Sequence, residues 1–316
     1  MESPQNIKKR LKSVNNIGQI TKAMELVSAT KMRKSQQIAL DSRPYAFAAL
    51  DFLATVSSLE NHKLPALFET RKEIKKVLFV LVTSDKGLAG AFNSSVFRKF
   101  EKHLKEEKAE WKAEEHLYVA VGEKSFAYLT KKNLKVLKKF TNVGDYTTTE
   151  QVKPLADFVV KGFLHKDFDR VIVVSTHFKS ALKQEPHVRR VLPIDFDHIK
   201  ATVLETIPER GKFADLIKEN NISFVPNKEK IKEYTIEPKA EKFLEKLAEH
   251  LFFMQVYHLI LEANASEHSA RRMAMKTASD NAKDLGEALN LQYNKSRQSR
   301  ITTEISEISA GAEALS

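Results

Sequence analysis

The 316-residue sequence contains no cysteine, and it has only nine glycines and nine prolines. Without cysteine the chain can form neither disulfides nor thiolate metal sites, and thiol catalysis and thiol-based redox regulation are excluded. Glycine and proline weaken helix interiors more than any other residues. Their scarcity therefore favours long, uninterrupted helices.

Long hydrophobic runs are also missing. The apolar run Val77–Val82 is among the longest, and it is far too short to cross a bilayer. The first residues lack the apolar core of a signal peptide. We therefore expect a cytosolic or peripheral protein.

Motifs for nucleotide, metal or acyl-transfer chemistry are absent as well. The sequence has no GxxxxGK[ST] loop, no GxSxG elbow and no HExxH motif. The stretch Gly87–Asn93 follows a predicted strand, but it lacks the third glycine and the lysine of a phosphate-binding loop. A structural turn is favoured there. We predict no catalytic residue, no cofactor and no metal.

Positive charge, in contrast, is in excess. Lysine and arginine number 52 against 41 acidic residues, which gives a formal net charge of +11. Such an excess suits a solvated basic surface, nucleic acid, an anionic membrane surface or an acidic protein partner. The basic clusters are interleaved with acids and lack an aromatic platform for bases. A basic coiled coil that binds nucleic acid or acts as a scaffold is the alternative function.

Helical periodicity dominates both ends of the sequence. Residues 3–58 are predicted to form one helix that starts at Ser3-Pro4 and is roughly 80 Å long. Its apolar stripe is predicted to run along Ile7, Leu11, Val14, Ile17, Ile20, Met24 and Val27. From about Pro238 the same period returns and holds to the end of the chain, which would be roughly 110 Å if straight.

Between these helices the pattern changes to that of strands. Buried strands are predicted at 76–83, 117–121 and 170–176, a weaker strand at 136–140 and an edge strand at 188–193. Helical segments are predicted at 94–110, 123–132 and 149–164. This alternation implies a mostly parallel sheet covered on both faces.

The organisation predicted from these patterns is an α/β protein in which a long antiparallel coiled coil of the N- and C-terminal helices carries an inserted, Rossmann-like α/β domain. Neither long helix can bury its apolar stripe alone, so each needs the other. The predicted divisions are residues 1–60 for the first helix, 74–196 for the α/β domain, 197–237 for an extended loop or small insertion, and 238–316 for the second helix.

The last helical turns carry a separate signal. Apolar residues at Ile301, Ile305, Ile308, Ala312 and Leu315 follow a spacing of four, three, four and three, which is a heptad seam. The second helix is longer than the first, so this tip is expected to extend past its partner. Its isoleucines then require a cover from outside the coiled coil.

Several stretches resemble the gamma subunit of F-type ATP synthase, in order along nearly the whole chain. They are IKKRLKSV at 7–14, QITKAMELVSATKM at 19–32, TSDKGLAGAFN at 83–93, ARRMAMKTASDN at 270–281, YNKSRQ at 293–298, and the segment 301–312 that begins ITTE. The resemblance implies a central rotor stalk that is not an enzyme on its own but is required for a proton-transporting ATP synthase.

The partners implied by the resemblance are three alpha and three beta subunits, the epsilon subunit and the membrane-embedded c-ring, and not nucleic acid. The coiled coil would stand inside the alpha–beta ring, and its rotation with the c-ring would drive each beta subunit through different nucleotide affinities. The implied location is the cytoplasmic face of the bacterial inner membrane, as a peripheral subunit.

The resemblance also implies particular contacts. Arg297, Gln298 and Thr302 are expected to make polar contacts with loops of the head, and Glu304 is expected to share them. Met24, Lys22 and Lys31 are expected to meet acidic levers of the beta subunits, although plain coiled-coil packing is an equal alternative for Met24. Ile305, Ile308 and Leu315 are expected to turn in an apolar sleeve.

The sequence departs from that family at two places. Ser309-Ala310 stands where many relatives have a bulkier valine, so tip packing is expected to differ. Residues 197–237 are longer than in many members, and the cysteines of the chloroplast redox insertion are absent.

Overall fold

The computed structural model describes residues 3–41, 65–71, 73–110, 115–195 and 240–315. The predicted helix between 42 and 58 and the segment 197–237 lie outside the described residues. The chain divides into two compact units, one made of Met1–Ala29 with Arg271–Ser316 and the other of Thr30–Ala270. Both long helices contribute residues to both units.

The described elements alternate between helix and strand, as the sequence predicts. In chain order they are α1 (Pro4–Asp41), a short 3-10 helix (Ala66–Phe68), β1 (Lys76–Val82), α2 (Phe92–Glu110), β2 (Glu115–Val121), α3 (Glu123–Lys131), β3 (Val136–Phe140), α4 (Thr149–Leu164), β4 (Arg170–Phe178), β5 (Gln184–Leu192) and α5 (Ala240–Leu315). The last helix is 76 residues long without interruption. No proline occurs within it, and its two glycines are Gly286 and Gly311.

The five strands form one sheet in the order β3-β2-β1-β4-β5. The first four strands are parallel, and β5 pairs antiparallel with β4 at the edge. Strand β1 lies at the centre and is buried along nearly its whole length. This topology confirms the predicted mostly parallel sheet with an edge strand.

Each face of the sheet has its own apolar core, because alternate residues of a strand point to opposite faces. On one face Leu78, Val80 and Val82 of β1 belong to a core that includes residues of α4 and α5. On the other face Val77, Phe79 and Leu81 belong to a core that includes Val96 and Phe100 of α2 and Leu129 of α3. Helix α5 is therefore structural to the α/β domain as well as to the coiled coil.

In the helical unit, α1 and α5 pack against each other in antiparallel directions. A Cβ added at Gly18 would lie 3.4 Å from the Cβ of Ala282, and one added at Gly286 would lie 3.1 Å from Oδ1 of Asn15. Residue numbers increase along α5 as the numbers of the facing α1 residues decrease, so the two helices run in opposite directions. The predicted antiparallel coiled coil is confirmed.

The apolar stripe predicted for α1 is wrong after Val14. Ile17, Ile20 and Val27 are at least half exposed. The more buried line instead keeps a strict spacing of four and three through small and polar residues: Ile7, Leu11, Val14, Gly18, Thr21, Glu25, Ser28, Met32 and Ser35. On α5, too, a small residue lies in the interface while a larger neighbour is exposed: Gly286 faces Asn15, and Leu285 is 47% exposed.

Hydrogen bonds within α1 explain why polar residues fit this line. The Thr21 hydroxyl donates to the carbonyl oxygens of Ile17 and Gly18 at 3.0 Å, and the Ser28 hydroxyl donates to that of Met24 at 2.7 Å. Their burial therefore leaves no hydroxyl proton without an acceptor. The small side chains also let the helices approach closely.

Candidate functional site

The apolar tip of α5 has no described residue of α1 opposite it. Asn15 is level with Gly286, so in an antiparallel pair Pro4, eleven residues before Asn15, is level with Arg297. Beyond that point Ile301, Ile305 and Ile308 are exposed by 46%, 59% and 72%. Helix α5 includes Leu315, but the surroundings of that side chain lie outside the described part of the structure.

The four polar residues predicted to grip a partner all lie exposed on this part of α5. Arg297 and Gln298 are exposed, and the Thr302 hydroxyl donates to the carbonyl oxygen of Gln298 at 3.0 Å. Glu304 accepts a hydrogen bond from Nε of Arg300 at 2.8 Å, an exposed pair one turn apart. Sequence reasoning missed Arg300, although its spacing of four from Glu304 is the signal for such a pair.

Helical spacing places the polar and apolar groups beside one another. Arg297, Ile301, Glu304 and Ile308 follow one line, while Gln298, Thr302 and Ile305 follow the adjacent line. The overhanging helix thus presents hydrogen-bonding groups at its base and apolar groups toward its end. This arrangement can bind a protein surface.

On α1, Met24 lies beside exposed apolar residues, whereas Lys22, two positions away, projects from a different side of the helix. Nζ of Lys22 contacts Oε2 of Glu25 at 2.9 Å, with 59% of the lysine side chain exposed, and Met24 is half-buried. Ile17, Ile20 and Val27, at spacings of three and four from each other and from Met24, add an apolar surface around it. Sequence reasoning had assigned these residues to the coiled-coil interface and so missed them as a candidate binding surface.

Lys31 is held within the chain, in the α/β unit. Its Nζ lies 2.6 Å from Oδ1 of Asp145 in the loop after β3. Burial alone would raise the pKa of Asp145, but the hydrogen bond and charge of Lys31 keep that pKa below its ordinary value. No sequence signal joins two residues so far apart in the chain, and the pairing was not predicted.

The glycine loop after β1 is closed by its own side chains. Oδ1 of Asn93 accepts from the backbone N–H of Ser84 at 3.1 Å, and the Ser84 hydroxyl donates to the carbonyl oxygen of Lys86 at 2.7 Å. Both carboxylate oxygens of Asp85 accept backbone N–H groups, from Glu123 and Asn142. These bonds describe a structural turn. Within the described ranges no cluster of residues suited to a metal ion occurs.

Among the helices of the described residues, none is long and apolar enough to cross a bilayer. The fold defines a class of protein: an α/β domain inserted into an antiparallel pair of long helices, which carry exposed apolar and polar residues.

The comparisons with known proteins specify the family. The family model described as ATP synthase matches residues 3–315. The ATP synthase gamma chain of Roseiflexus castenholzii is 36% identical over 316 residues, covering 100% of this chain and 99% of the relative. That of Bdellovibrio bacteriovorus is 35% identical over 316 residues, with the same coverage. The chain belongs to the ATP synthase gamma-chain family.

Solved structures agree with this assignment at the level of the fold. A chain of the Euglena gracilis mitochondrial ATP synthase (OSCP/F1/c-ring) matches with a TM-score of 0.61 and 17% identity, covering 99% of this chain and 94% of that one. A chain of the Tetrahymena thermophila mitochondrial ATP synthase central stalk and c-ring matches with a TM-score of 0.54 and 23% identity, covering 82% and 99%.

Proposed function

We propose that this chain is the central rotor subunit of a proton-translocating F-type ATP synthase and performs no catalysis itself. It would couple rotation of the c-ring to conformational cycling of three catalytic beta subunits, which alternate with three alpha subunits. The epsilon subunit would bind beside it, and the complex would hold it at the cytoplasmic face of the bacterial inner membrane. The observation that carries the proposal is the overhang of α5 beyond α1, with three exposed isoleucines.

Coupling follows from the asymmetry of such a shaft. A helical pair inside a ring of three equivalent sites presents a different surface to each site. A contact that differs between sites stabilises a different conformation in each, by as much as its differential binding free energy. When the helical pair rotates from one site of the ring to the next, every beta subunit then changes to its next conformation.

The isoleucine tip suits a rotating contact. Apolar side chains in an apolar sleeve gain free energy from burial without directional bonds. Rotation therefore breaks no specific ion pair at each step, and the barriers to turning remain low. Ile305 and Ile308 would provide this contact, together with Leu315 at the end of the helix.

The polar residues at the base of the overhang suit a contact with the opposite property. Arg297, Gln298 and Thr302 would form hydrogen bonds with loops of the alpha–beta head. Glu304 would do the same after giving up its ion pair with Arg300. Such bonds are directional, and charged members are the stronger ones. They would favour particular angular positions of the shaft.

The surface of α1 would meet the moving parts of the beta subunits. Lys22 is an exposed cation on α1, and an acidic partner segment would match both its charge and the net charge of the chain. Met24, with Ile17 and Ile20, would supply the apolar part of the contact. Lys31 would act only after exchanging Asp145 for a partner carboxylate.

Reconstitution tests the proposal directly. The purified chain is mixed with alpha and beta subunits of the same organism, and cooperative ATP hydrolysis and rotation of a probe on the chain are measured. The proposal requires co-purification, restored hydrolysis and rotation. A chain that ignored the ring but bound DNA with a steep salt dependence would support the nucleic-acid alternative instead.

A further inference from the structure

One stretch of α5, residues 255–269 in the α/β unit, is buried on every side. A helix that lies on a single surface buries one stripe, so burial all round requires structure around its whole circumference. Many residues of this stretch are polar, and Glu262, Asn264 and His268 are only 5%, 5% and 1% exposed. Buried polar groups need partners, and partners here come from the loop after β3 and from β4 with the turn that follows it.

The first loop is residues 141–148, which follow β3. Nδ2 of Asn264 donates to the carbonyl oxygen of Val143 at 2.7 Å and to Oγ1 of Thr147 at 2.5 Å. The hydroxyl of Tyr257 donates to the carbonyl oxygen of Thr147 at 3.1 Å, and Nε2 of His268 donates to that of Gly144 at 2.9 Å. The three α5 residues lie seven and four positions apart, which is one line of the helix.

The second group of contacts comes from β4 and the turn that follows it, residues 179–183. The hydroxyl of Ser269 donates to the carbonyl oxygen of Ala181 at 2.8 Å. Nδ1 of His177 lies 3.0 Å from Oε2 of Glu262, seven residues before Ser269 on α5. Burial would raise the pKa of Glu262, but the hydrogen bond and charge of His177 keep that pKa below its ordinary value.

Both loops lie at the carboxyl edge of the parallel strands. In open α/β sheets, ligands bind in the crevice at this edge, at the point where the strand order reverses. Here the order reverses between the adjacent strands β1 and β4, because β2 and β3 lie on one side of β1 and β4 on the other. A Cβ added at Gly144 would lie 3.7 Å from Oε2 of Glu267 and 3.8 Å from Oδ2 of Asp85 in the loop after β1. Helix α5 therefore contacts loops at the carboxyl edge of the sheet.

We infer that this crevice is a socket that prevents α5 from turning about its own axis within the α/β domain, with Asn264 as a positioning residue. The helix socket consists of residues 141–148 and 179–183. Besides the apolar packing of α5, hydrogen bonds on two different lines of the helix oppose such turning, because each bond is directional. This inference rests on the proposed rotor function, in which torque must pass between the α/β domain and the helices.

The test compares Asn264→Leu with Glu245→Leu, an exposed position on the same helix. Each variant is assembled with alpha and beta subunits, the ring is fixed to a surface, and a probe is attached to the α/β domain. The angular variance of the probe is measured while hydrolysis is paused, along with ATP turnover. Because Asn264→Leu removes two of the four named bonds to residues 141–148, we expect its variance to rise about twofold, with turnover retained.

Ser269→Ala removes the bond to Ala181, and also the bond that Ser269 accepts from Gln184, with little change of volume. It provides a second variant and is also expected to raise the variance. Unchanged variance in both socket variants would overturn the inference, and so would an equal rise in Glu245→Leu. A wild-type chain that neither binds the ring nor supports rotation would instead refute the rotor proposal itself. The two failures are therefore distinguishable.

Discussion

Gly18 of α1 and Ala282 of α5 face each other so closely that a Cβ on the glycine would lie 3.4 Å from the Cβ of the alanine. Two such small residues bring the helices into near backbone contact. Larger neighbours on the same helices, such as Ile17, then lie to the side of the interface and remain exposed. Close approach of the helices and the exposed apolar surface of α1 thus have one cause.

Two leucines of α5 allow a matched test of this interface. Leu289 is 3% exposed and Leu291 is 74% exposed. We expect Leu289→Ala to destabilise the helical pair by about 2–4 kcal/mol, because it leaves a cavity, and Leu291→Ala to change stability by less than about 0.5 kcal/mol. Hydrogen exchange of backbone amides in residues 4–29 measures the opening of the pair. Similar exchange in both variants would contradict the packing described.

Gly122, between β2 and α3, has no room for a side chain. Its φ is +96°, and a Cβ there would lie 2.2 Å from the carbonyl oxygen of Thr83. We expect Gly122→Ala to cost about 3 kcal/mol, since both strain and overlap with backbone oppose it. Gly87→Ala is the control, because the nearest atom to its Cβ is Cε of Lys124 at 4.0 Å. Urea unfolding followed by circular dichroism compares the two, and equal midpoints would disprove the expectation.

The sequence predicted those parts of the fold that have a local hydrophobic pattern and missed those that depend on other interactions. Continuous apolar runs identified β1 and β4, and helical periodicity identified the coiled coil. The start of β5 was missed because its first four residues, 184–187, carry no apolar pattern. The residues of α1 that face α5 were not all predicted, because apolar periodicity cannot recognise polar residues such as Thr21 and Ser28. Their hydroxyls donate to backbone carbonyl oxygens of α1 itself, so both residues can be buried. Pairings such as Lys31 with Asp145 depend on the tertiary fold.

Asp169 links the start of β4 to the chain before β1, and its charge is expected to make stability depend on pH. Oδ1 lies 2.6 Å from NH1 of Arg71, and Oδ2 accepts the backbone N–H groups of Lys75 and Lys76 at 2.9 Å. Burial would raise the pKa of Asp169, but these hydrogen bonds and the Arg71 charge lower it below its ordinary value. The stabilisation is therefore complete above the ordinary pKa of aspartate and is lost as the pH falls through the lowered pKa.

Asp169→Asn tests this dependence. An amide places an NH2 group against either Arg71 or the two backbone N–H groups, so we expect a loss of about 2 kcal/mol at neutral pH. The difference from wild type should shrink as acid protonates the wild-type carboxylate. Asp167→Asn, an exposed position nearby, is the control. A difference for Asp169→Asn that stays constant in urea titrations from neutral to acidic pH would exclude the charge as the cause.

The overhanging tip gives the sharpest test of what α5 binds. Ile305 and Ile308 are 59% and 72% exposed, so replacing both by glutamine should leave the stability of the free chain nearly unchanged. In an apolar sleeve each isoleucine would gain about 1 kcal/mol on burial, and their joint loss should weaken binding to the alpha–beta ring by about tenfold to a hundredfold. Titration of labelled chain with the ring measures this affinity.

Ser306→Gln is the control for the tip, because it adds a glutamine between the two isoleucines without removing apolar surface. It should weaken ring binding much less than the double variant if apolar burial is what holds the tip. Equal affinities for wild type and the double variant would mean that no sleeve covers these side chains. The polar residues Arg297, Gln298 and Thr302 would then be left as the candidate contacts of the overhang, since they precede both substituted positions.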